Sequence, residues 1–120
     1  MKSGAYLIIQ PTEALTVIDV NSGKNTSGKN AEEYYYKINL EAAAEISRQL
    51  RLRNISGIVI VDFINMAKEE QRKELMHQFR LSLKEDPVPV RLVDITKLGL
   101  VELTRKKERK TLLEQVAQLR

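Results

Sequence analysis

The 120-residue chain contains no cysteine, which excludes disulfide bonds and thiolate zinc sites within it. Hydrophobic residues make up 42% and charged residues 30%, and we find neither a signal-peptide pattern nor a membrane-spanning apolar run, so we expect one globular domain in the cytoplasm. The net charge of +4 and the isoelectric point near 9.4 favour an anionic partner, and nucleic acid is the commonest such partner.

The first elements are predicted to be a β-hairpin and a loop. Residues 4–10 (GAYLIIQ) and 14–20 (ALTVIDV) have the apolar, β-branched composition of strands. Pro11 cannot donate to a strand ladder, so the PTE segment at 11–13 is predicted to be the turn between them. A loop over residues 21–30, rich in Gly, Ser, Asn and Lys, follows the second strand.

A long helix is predicted from Ala31 to about Arg53, because this segment is rich in Ala, Leu, Glu and Arg. Asn30 is suited to be its N-cap, and Glu33 completes a capping-box pattern three residues later. A period of about 3.6 residues predicts which of its side chains face the core. These are Leu40, Ala43, Ala44, Ile46, Ser47 and Leu50.

A central strand and a second helix are predicted next. After Gly57, residues 58–63 (IVIVDF) form a continuous apolar run that ends near an acid, which fits a central strand covered on both faces. The second helix is predicted from about Ala67 to Lys84, where prolines follow. Its core-facing side chains are predicted to be Leu75, Phe79 and Leu83.

The remaining elements are predicted to be two short strands and a last helix. The strands lie at 90–93 and 100–103, and the helix starts at about Lys107. The order ββαβαββα predicts an α/β fold in which helices pack on a mixed β-sheet. The chain contains no low-complexity segment and no linker, so residues 1–120 are predicted to be a single domain.

The loop after the second strand permits a nucleotide-binding interpretation. Residues 23–29 match the G-x-x-x-x-G-K pattern of phosphate-binding loops and lie between a strand and a helix. Asn30 stands where that motif needs a Ser or Thr hydroxyl for the metal ion. The loop also follows a predicted antiparallel hairpin, whereas the motif belongs to a parallel β–α unit. Binding of a nucleoside triphosphate is therefore one alternative.

Two strand-terminal acids permit a second interpretation, which is a metal site. Asp19 and Asp62 each end an apolar strand, and they would meet at one sheet edge if those strands are neighbours. A divalent cation would relieve their repulsion, and oxygen ligands favour Mg²⁺ or Mn²⁺. Asn21 would share the strand face of Asp19 and could orient a water or a phosphate oxygen. Otherwise the two acids are polar strand ends that cap helices.

Three long segments resemble the ribonuclease E/G family. They are residues 11–23 (PTEALTVIDVNSG), 39–66 (NLEAAAEISRQLRLRNISGIVIVDFINM) and 98–107 (LGLVELTRKK), and they occur in the family's order. The resemblance extends from about Ser3 to Lys107. It implies the fold of the family's catalytic deoxyribonuclease-I-like subdomain. We therefore expect the chain to be a single catalytic subdomain, excised from a longer protein.

The resemblance implies a Mg²⁺-dependent endoribonuclease that cleaves single-stranded RNA in RNA processing and decay. In the family, acids in these two strands hold one Mg²⁺, and an activated water attacks in line and leaves 5′-phosphate and 3′-hydroxyl ends. By position, the catalytic residues are Asp19, Asn21 and Asp62, and the metal ligands are Asp19 and Asp62. A non-catalytic RNA-binding or assembly module is the alternative.

The sequence departs from the family in three ways. Asn65 replaces a family acid in the segment DFINM, where it is suited to be the N-cap of the second helix. The sequence lacks the Cys pair that forms an intersubunit zinc link in the family, so no zinc site is expected. A homo-oligomer is considered only for a full-length protein. The family's RNA-binding S1 and 5′-end-sensing portions, which precede this segment in the family, are not among these 120 residues, so weak RNA binding is expected of them.

Basic residues near these motifs are candidates for contacts with the RNA backbone. One group lies in the loop beside the predicted metal site, and the other forms a dense basic run near the third family segment. A solvated surface is the alternative for both groups. The predicted RNA-binding residues are Lys24, Lys29, Lys97, Arg105, Lys106 and Lys107.

Overall fold

The computed structural model describes residues 1–23, 30–96 and 98–107 of the chain. The predicted RNA contacts Lys24, Lys29 and Lys97 lie outside these ranges, as does the C-terminal helix predicted beyond Lys107. Nothing observed therefore tests these four predictions.

Five strands and two helices are formed by the described residues, in the predicted order. The strands are β1 (Tyr6–Pro11), β2 (Thr16–Asn21), β3 (Gly57–Asp62), β4 (Val90–Ile95) and β5 (Leu100–Arg105), and the helices are α1 (Ala31–Leu52) and α2 (Glu69–Leu83).

The strands form one mixed sheet in the order β1-β2-β3-β5-β4. β1 and β2 are an antiparallel hairpin, as predicted, whereas β2 and β3 are parallel and are connected through α1. β5 pairs antiparallel with both β3 and β4. Because β2 and β3 run in the same direction, both end at the same edge of the sheet. The predicted α/β fold with a mixed sheet and packed helices is confirmed.

One face of the sheet carries the hydrophobic core. Alternate strand residues point into it, and the two helices pack on it side by side. Phe63 and Phe79 meet there edge to face, with ring centroids 5.6 Å apart. The strand residues that are fully buried on this face are Ile18, Val59, Val61, Val101 and Leu103.

The opposite face of the sheet is not covered by either of these helices. Ile58 on β3 is 42% exposed and Leu100 on β5 is 38% exposed, although both are apolar. The prediction that β3 is covered on both faces is therefore wrong for the part of the chain described. Within the described ranges, its continuous apolar run has one face buried under the helices and one face that is open and apolar.

The core-facing side of α1 differs from the prediction at one position. Ala43, Ile46, Ser47 and Leu50 are buried as predicted, and Leu40 is half-buried against the core. Ala44 is exposed, so its prediction is wrong. The helix turns Ile38, Asn39 and Ala42 into the core instead.

Both helix starts differ in detail from the capping patterns in the sequence. Asn30 is the N-cap of α1, but its side chain makes no capping hydrogen bond, so the capping box does not form. α2 begins at Glu69 with Lys68 as N-cap, and Asn65 is exposed in the preceding segment. The prediction that Asn65 caps this helix is therefore wrong.

Neither helix that the structure describes combines the length and the hydrophobicity that a bilayer crossing requires.

Candidate active site

Two carboxylates lie side by side where β2 and β3 end. Asp19 and Asp62 are register partners in the parallel pair, so their side chains emerge on the same face of adjacent strands. Adjacent strands are about 4.8 Å apart. Both acids are half-exposed. Ile18 and Val61, which precede them in the chain, point into the core, so the two acids lie on the open face of the sheet. The predicted convergence of the two acids is confirmed.

The electrostatics of the pair disfavour two negative charges. Burial raises the pKa of the Asp62 carboxyl above its ordinary value. The negative charge of Asp19 and a hydrogen bond between the two carboxyl groups raise this pKa further. A bound cation would favour the doubly ionised form of the pair.

Asn21 places an amide next to the acids. It lies two residues after Asp19 and therefore on the same face of β2, opposite Tyr6 on β1. Its Nδ2 atom is buried and has no hydrogen-bond partner. An unpaired buried N–H group is costly, and a phosphate oxygen would satisfy it. The structure thus brings together Asp19, Asn21 and Asp62, the three residues predicted to be catalytic.

Two glycines allow the backbone to pack closely at the edge of the sheet where the acids lie: Gly23 just after β2, and Gly99 just before β5. Gly23, just after β2, has φ +74°, and a Cβ there would lie 2.7 Å from the carbonyl oxygen of Gly4. Gly99 has φ +87°, and a Cβ there would lie 2.8 Å from the carbonyl oxygen of Phe63, just after β3. The Phe63 N–H also donates to the Gly99 carbonyl, at 3.1 Å. Close backbone packing therefore fixes the edge at which the acids lie.

Asn39 on α1 holds the segment that follows Asp62. Its Nδ2 donates to the carbonyl of Ile64 at 2.8 Å, and its Oδ1 accepts from the Ile64 N–H at 3.0 Å. The Asn39 side chain is fully buried. The sequence prediction missed this residue. Its signal was a lone amide on the core-facing side of α1, between the apolar residues Ile38 and Ala42.

The prediction that Arg105 contacts RNA is wrong. Arg105 is 3% exposed and lies on the core face of β5. Its Nε donates to Asp86 at 2.8 Å, and its Nη1 donates to Asn54 at 2.9 Å and to the Ile55 carbonyl at 3.1 Å. Burial acts to raise the pKa of Asp86. The hydrogen bonds from Arg105 and from the Val88 N–H, together with the positive charge of Arg105, outweigh burial and hold this pKa below its ordinary value. Arg105 is therefore a structural residue.

Lys106 and Lys107 are exposed but are not near the acids. They follow the end of β5 that pairs with Gly57, whereas Leu100 at the other end of β5 pairs with Asp62. The length of β5 separates the two places by about 17 Å. RNA contact at these lysines stays a prediction.

The parallel pairing corrects one argument against nucleotide binding. β2 is antiparallel to β1 but parallel to β3, so the loop before α1 does belong to a parallel β–α unit. The objection from the hairpin was wrong. The objection from Asn30, which offers no hydroxyl, still holds.

The donor set at the acid pair suits a weakly coordinated hard ion. Among the described residues, no group of three or more His, Cys, Asp or Glu side chains is arranged to hold a metal. Mg²⁺ is typically bound by one or two carboxylates, with waters and substrate oxygens completing its shell. Two adjacent carboxylates with a raised pKa at Asp62 therefore fit Mg²⁺.

Comparison with known proteins identifies the family. Residues 1–108 match the family described as Ribonuclease E/G. The chain belongs to the ribonuclease E/G family. It is 48% identical over 118 residues to ribonuclease E of Synechocystis sp., an alignment that covers 98% of this chain and 18% of that protein. It is 43% identical over 112 residues to ribonuclease G of Escherichia coli (strain K12), covering 93% of this chain and 23% of that protein.

The family resemblance of the three sequence segments is thereby confirmed. The chain spans only about a fifth of the length of these ribonuclease E/G relatives. The described portion contains both strands that carry the acids.

Proposed function

We propose that this chain is the catalytic subdomain of a Mg²⁺-dependent endoribonuclease that cleaves single-stranded RNA. The observation that carries the proposal is the register pairing of Asp19 with Asp62 at the ends of parallel strands. The names of the relatives, ribonucleases E and G, supply the substrate class and the reaction type.

Asp19 and Asp62 would hold the ion, each through carboxylate oxygens. When bound, Mg²⁺ would polarise the scissile phosphate and lower the pKa of a water molecule. Asn21 would donate its unpaired Nδ2–H to a phosphate oxygen and so position the phosphate over the acids. The water oxygen forms a bond to phosphorus, the bond from phosphorus to the 3′ oxygen breaks, and that oxygen takes up a proton. The products carry 5′-phosphate and 3′-hydroxyl ends.

The test is cleavage of a 5′-monophosphorylated, AU-rich single-stranded RNA with Mg²⁺ or with EDTA. We expect cleavage only with Mg²⁺, and mass spectrometry of the fragments should show 5′-phosphate and 3′-hydroxyl ends. Asp62→Asn should abolish cleavage while keeping the fold. Asp94→Asn, which changes an exposed acid on β4, is the matched control and should cleave like the parent.

Cleavage by Asp62→Asn at the parental rate would overturn the catalytic assignment. Salt-sensitive RNA binding that needs no metal and gives no cleavage would instead support the alternative, a non-catalytic RNA-binding module.

A further inference from the structure

The acid pair lies within a straight row of side chains that crosses four strands. The register places Ile8 on β1 opposite Asp19, Asp19 beside Asp62, and Asp62 opposite Leu100 on β5. Ile8 is 40% exposed and Leu100 is 38% exposed. The acids are thus flanked on both sides by apolar side chains that face outward.

Among the described strand residues, Tyr6 is the most exposed aromatic or aliphatic side chain on this open face. It is 51% exposed and pairs with Asn21, on the same face as the acids. Tyr6 is a diagonal neighbour of Asp19, a relationship that places residues about 7–8 Å apart. Because β1 is an edge strand, Tyr6 also borders the shallow pocket that Leu7 and Ile9 line beside α1. A ligand can therefore reach Tyr6 without displacing another strand of this sheet.

An exposed aromatic next to a phosphate-binding group suits a nucleotide. Bases of single-stranded RNA stack on aromatic side chains, and every base has a face that can do so. A chain that lays a phosphate on Asn21 and the acids brings its neighbouring base within reach of β1. An apolar face alone would fit many partners, but its continuity with Asn21 and Asp19 favours RNA.

We propose that Tyr6, with Ile8 beside it on β1, is a stacking platform for the RNA base that neighbours the phosphate held at the acid pair. This proposal rests on the proposed function, because it takes that site to be where RNA binds. Tyr6 would position the substrate and would tolerate any base. Cleavage would then depend on a base being present at that one nucleotide.

The test measures binding rather than cleavage, so that it does not depend on catalysis. A fluorescein-labelled single-stranded RNA is titrated with the 120-residue chain in Ca²⁺, a hard cation that carboxylates also bind, and fluorescence anisotropy gives the dissociation constant. Tyr6→Thr removes the ring but keeps a residue that favours strands, and Tyr6→Phe keeps the ring. Leu52→Ala, at an exposed position at the end of α1, is the matched control.

We expect Tyr6→Thr to weaken binding by about 5- to 100-fold, and Tyr6→Phe and Leu52→Ala to bind like the parent. The same titrations are made with a set of RNAs, each of which lacks the base at a different nucleotide. For the RNA that lacks the stacked base, the parent and Tyr6→Thr should bind equally. Equal binding of Tyr6→Thr and parent to the intact RNA would overturn the platform. The platform would also be overturned if Tyr6→Thr weakened binding by the same factor for every abasic RNA. It would be overturned as well if Tyr6→Thr changed the oligomeric state of the chain instead of its affinity for RNA.

Failure of the platform and failure of the proposed function give different results. If the parent does not cleave, but Tyr6→Thr weakens binding to the intact RNA and not to one abasic RNA, the platform stands and the catalytic assignment falls. If the parent cleaves with Mg²⁺ and Tyr6→Thr binds and cleaves like it, only the platform falls.

Discussion

The side-chain amide of Asn39 forms two hydrogen bonds with the main chain of Ile64, which lies two residues after Asp62. The helix that connects the two acid-bearing strands therefore also fixes how the chain leaves the second of them. This contact ties the stability of the fold to the geometry of the acid pair.

Replacing Asn39 should destabilise the protein and impair the site together. Asn39→Leu leaves the N–H and the carbonyl of Ile64 without their partner, at a cost of about 1–3 kcal/mol for each unpaired group that stays buried. Urea denaturation would measure the loss. Asn65→Ala is the control, because Asn65 is exposed and its replacement should change stability by less than about 0.5 kcal/mol. Equal stability of the two variants would contradict the role of Asn39.

Asp62 should make the metal-free protein less stable as the pH rises. Its pKa is raised in the folded state, so folding favours the protonated form, and stability falls as the pH rises from the unfolded pKa through the folded one. In EDTA at neutral pH, Asp62→Asn should therefore unfold at a higher urea concentration than the parent. The difference should shrink as the pH falls toward the unfolded pKa. If the parent were more stable than Asp62→Asn at neutral pH without metal, the unfavourable burial and repulsion assigned to the Asp62 carboxylate would be contradicted.

Gly99→Ala should be more damaging than its backbone angle alone predicts. Gly99 and Gly57 have nearly the same φ, +87° and +86°, but only at Gly99 would a Cβ meet another atom, the Phe63 carbonyl oxygen at 2.8 Å. Gly57→Ala should cost about 1–2 kcal/mol for the left-handed conformation. Gly99→Ala should cost more and should also lower cleavage, because it displaces the chain next to Asp62. Thermal denaturation of both variants checks this, and equal losses would contradict it.

Arg105 should matter for folding rather than for RNA. Arg105→Leu leaves the carboxylate of Asp86 buried without its partner, which should cost about 3–5 kcal/mol. Asp86 has a lowered pKa, so its contribution to stability is present above the unfolded pKa and is lost as the pH falls through the folded pKa. The parent should thus lose more stability in acid than Arg105→Leu does. Lys106→Leu is the exposed neighbour for comparison, and an equal effect of the two variants on stability would contradict the assignment.

Several features of the fold could be predicted because they depend on local pattern. The hairpin, both described helices and the strands follow from hydrophobic periodicity and from glycine and proline positions. The sequence predicts the convergence of Asp19 and Asp62 only on a condition, because it requires β2 and β3 to be neighbours. That condition is set by the crossover through α1 and by long-range pairing.

Other features needed the three-dimensional structure. The insertion of β5 between β3 and β4 is a long-range pairing that the sequence does not encode locally. The open face of the sheet follows from both described helices packing on one side, which a continuous apolar strand does not reveal. Arg105 is different, because the alternation of LVELTR places it on the same face as Val101 and Leu103. Its burial could have been predicted had the period of two been given more weight than the basic run.

The most direct test of the acid pair as a metal site is a titration of the 120-residue chain with Mn²⁺, followed by NMR. Paramagnetic Mn²⁺ broadens the signals of nearby nuclei, and Mg²⁺ should reverse the effect by competition. We predict that the amide signals of Asp19, Asn21 and Asp62 disappear first, and that Asp62→Asn loses this selectivity. Broadening that avoids these three residues, or that persists unchanged in Asp62→Asn, would contradict the metal site and the hydrolytic mechanism built on it.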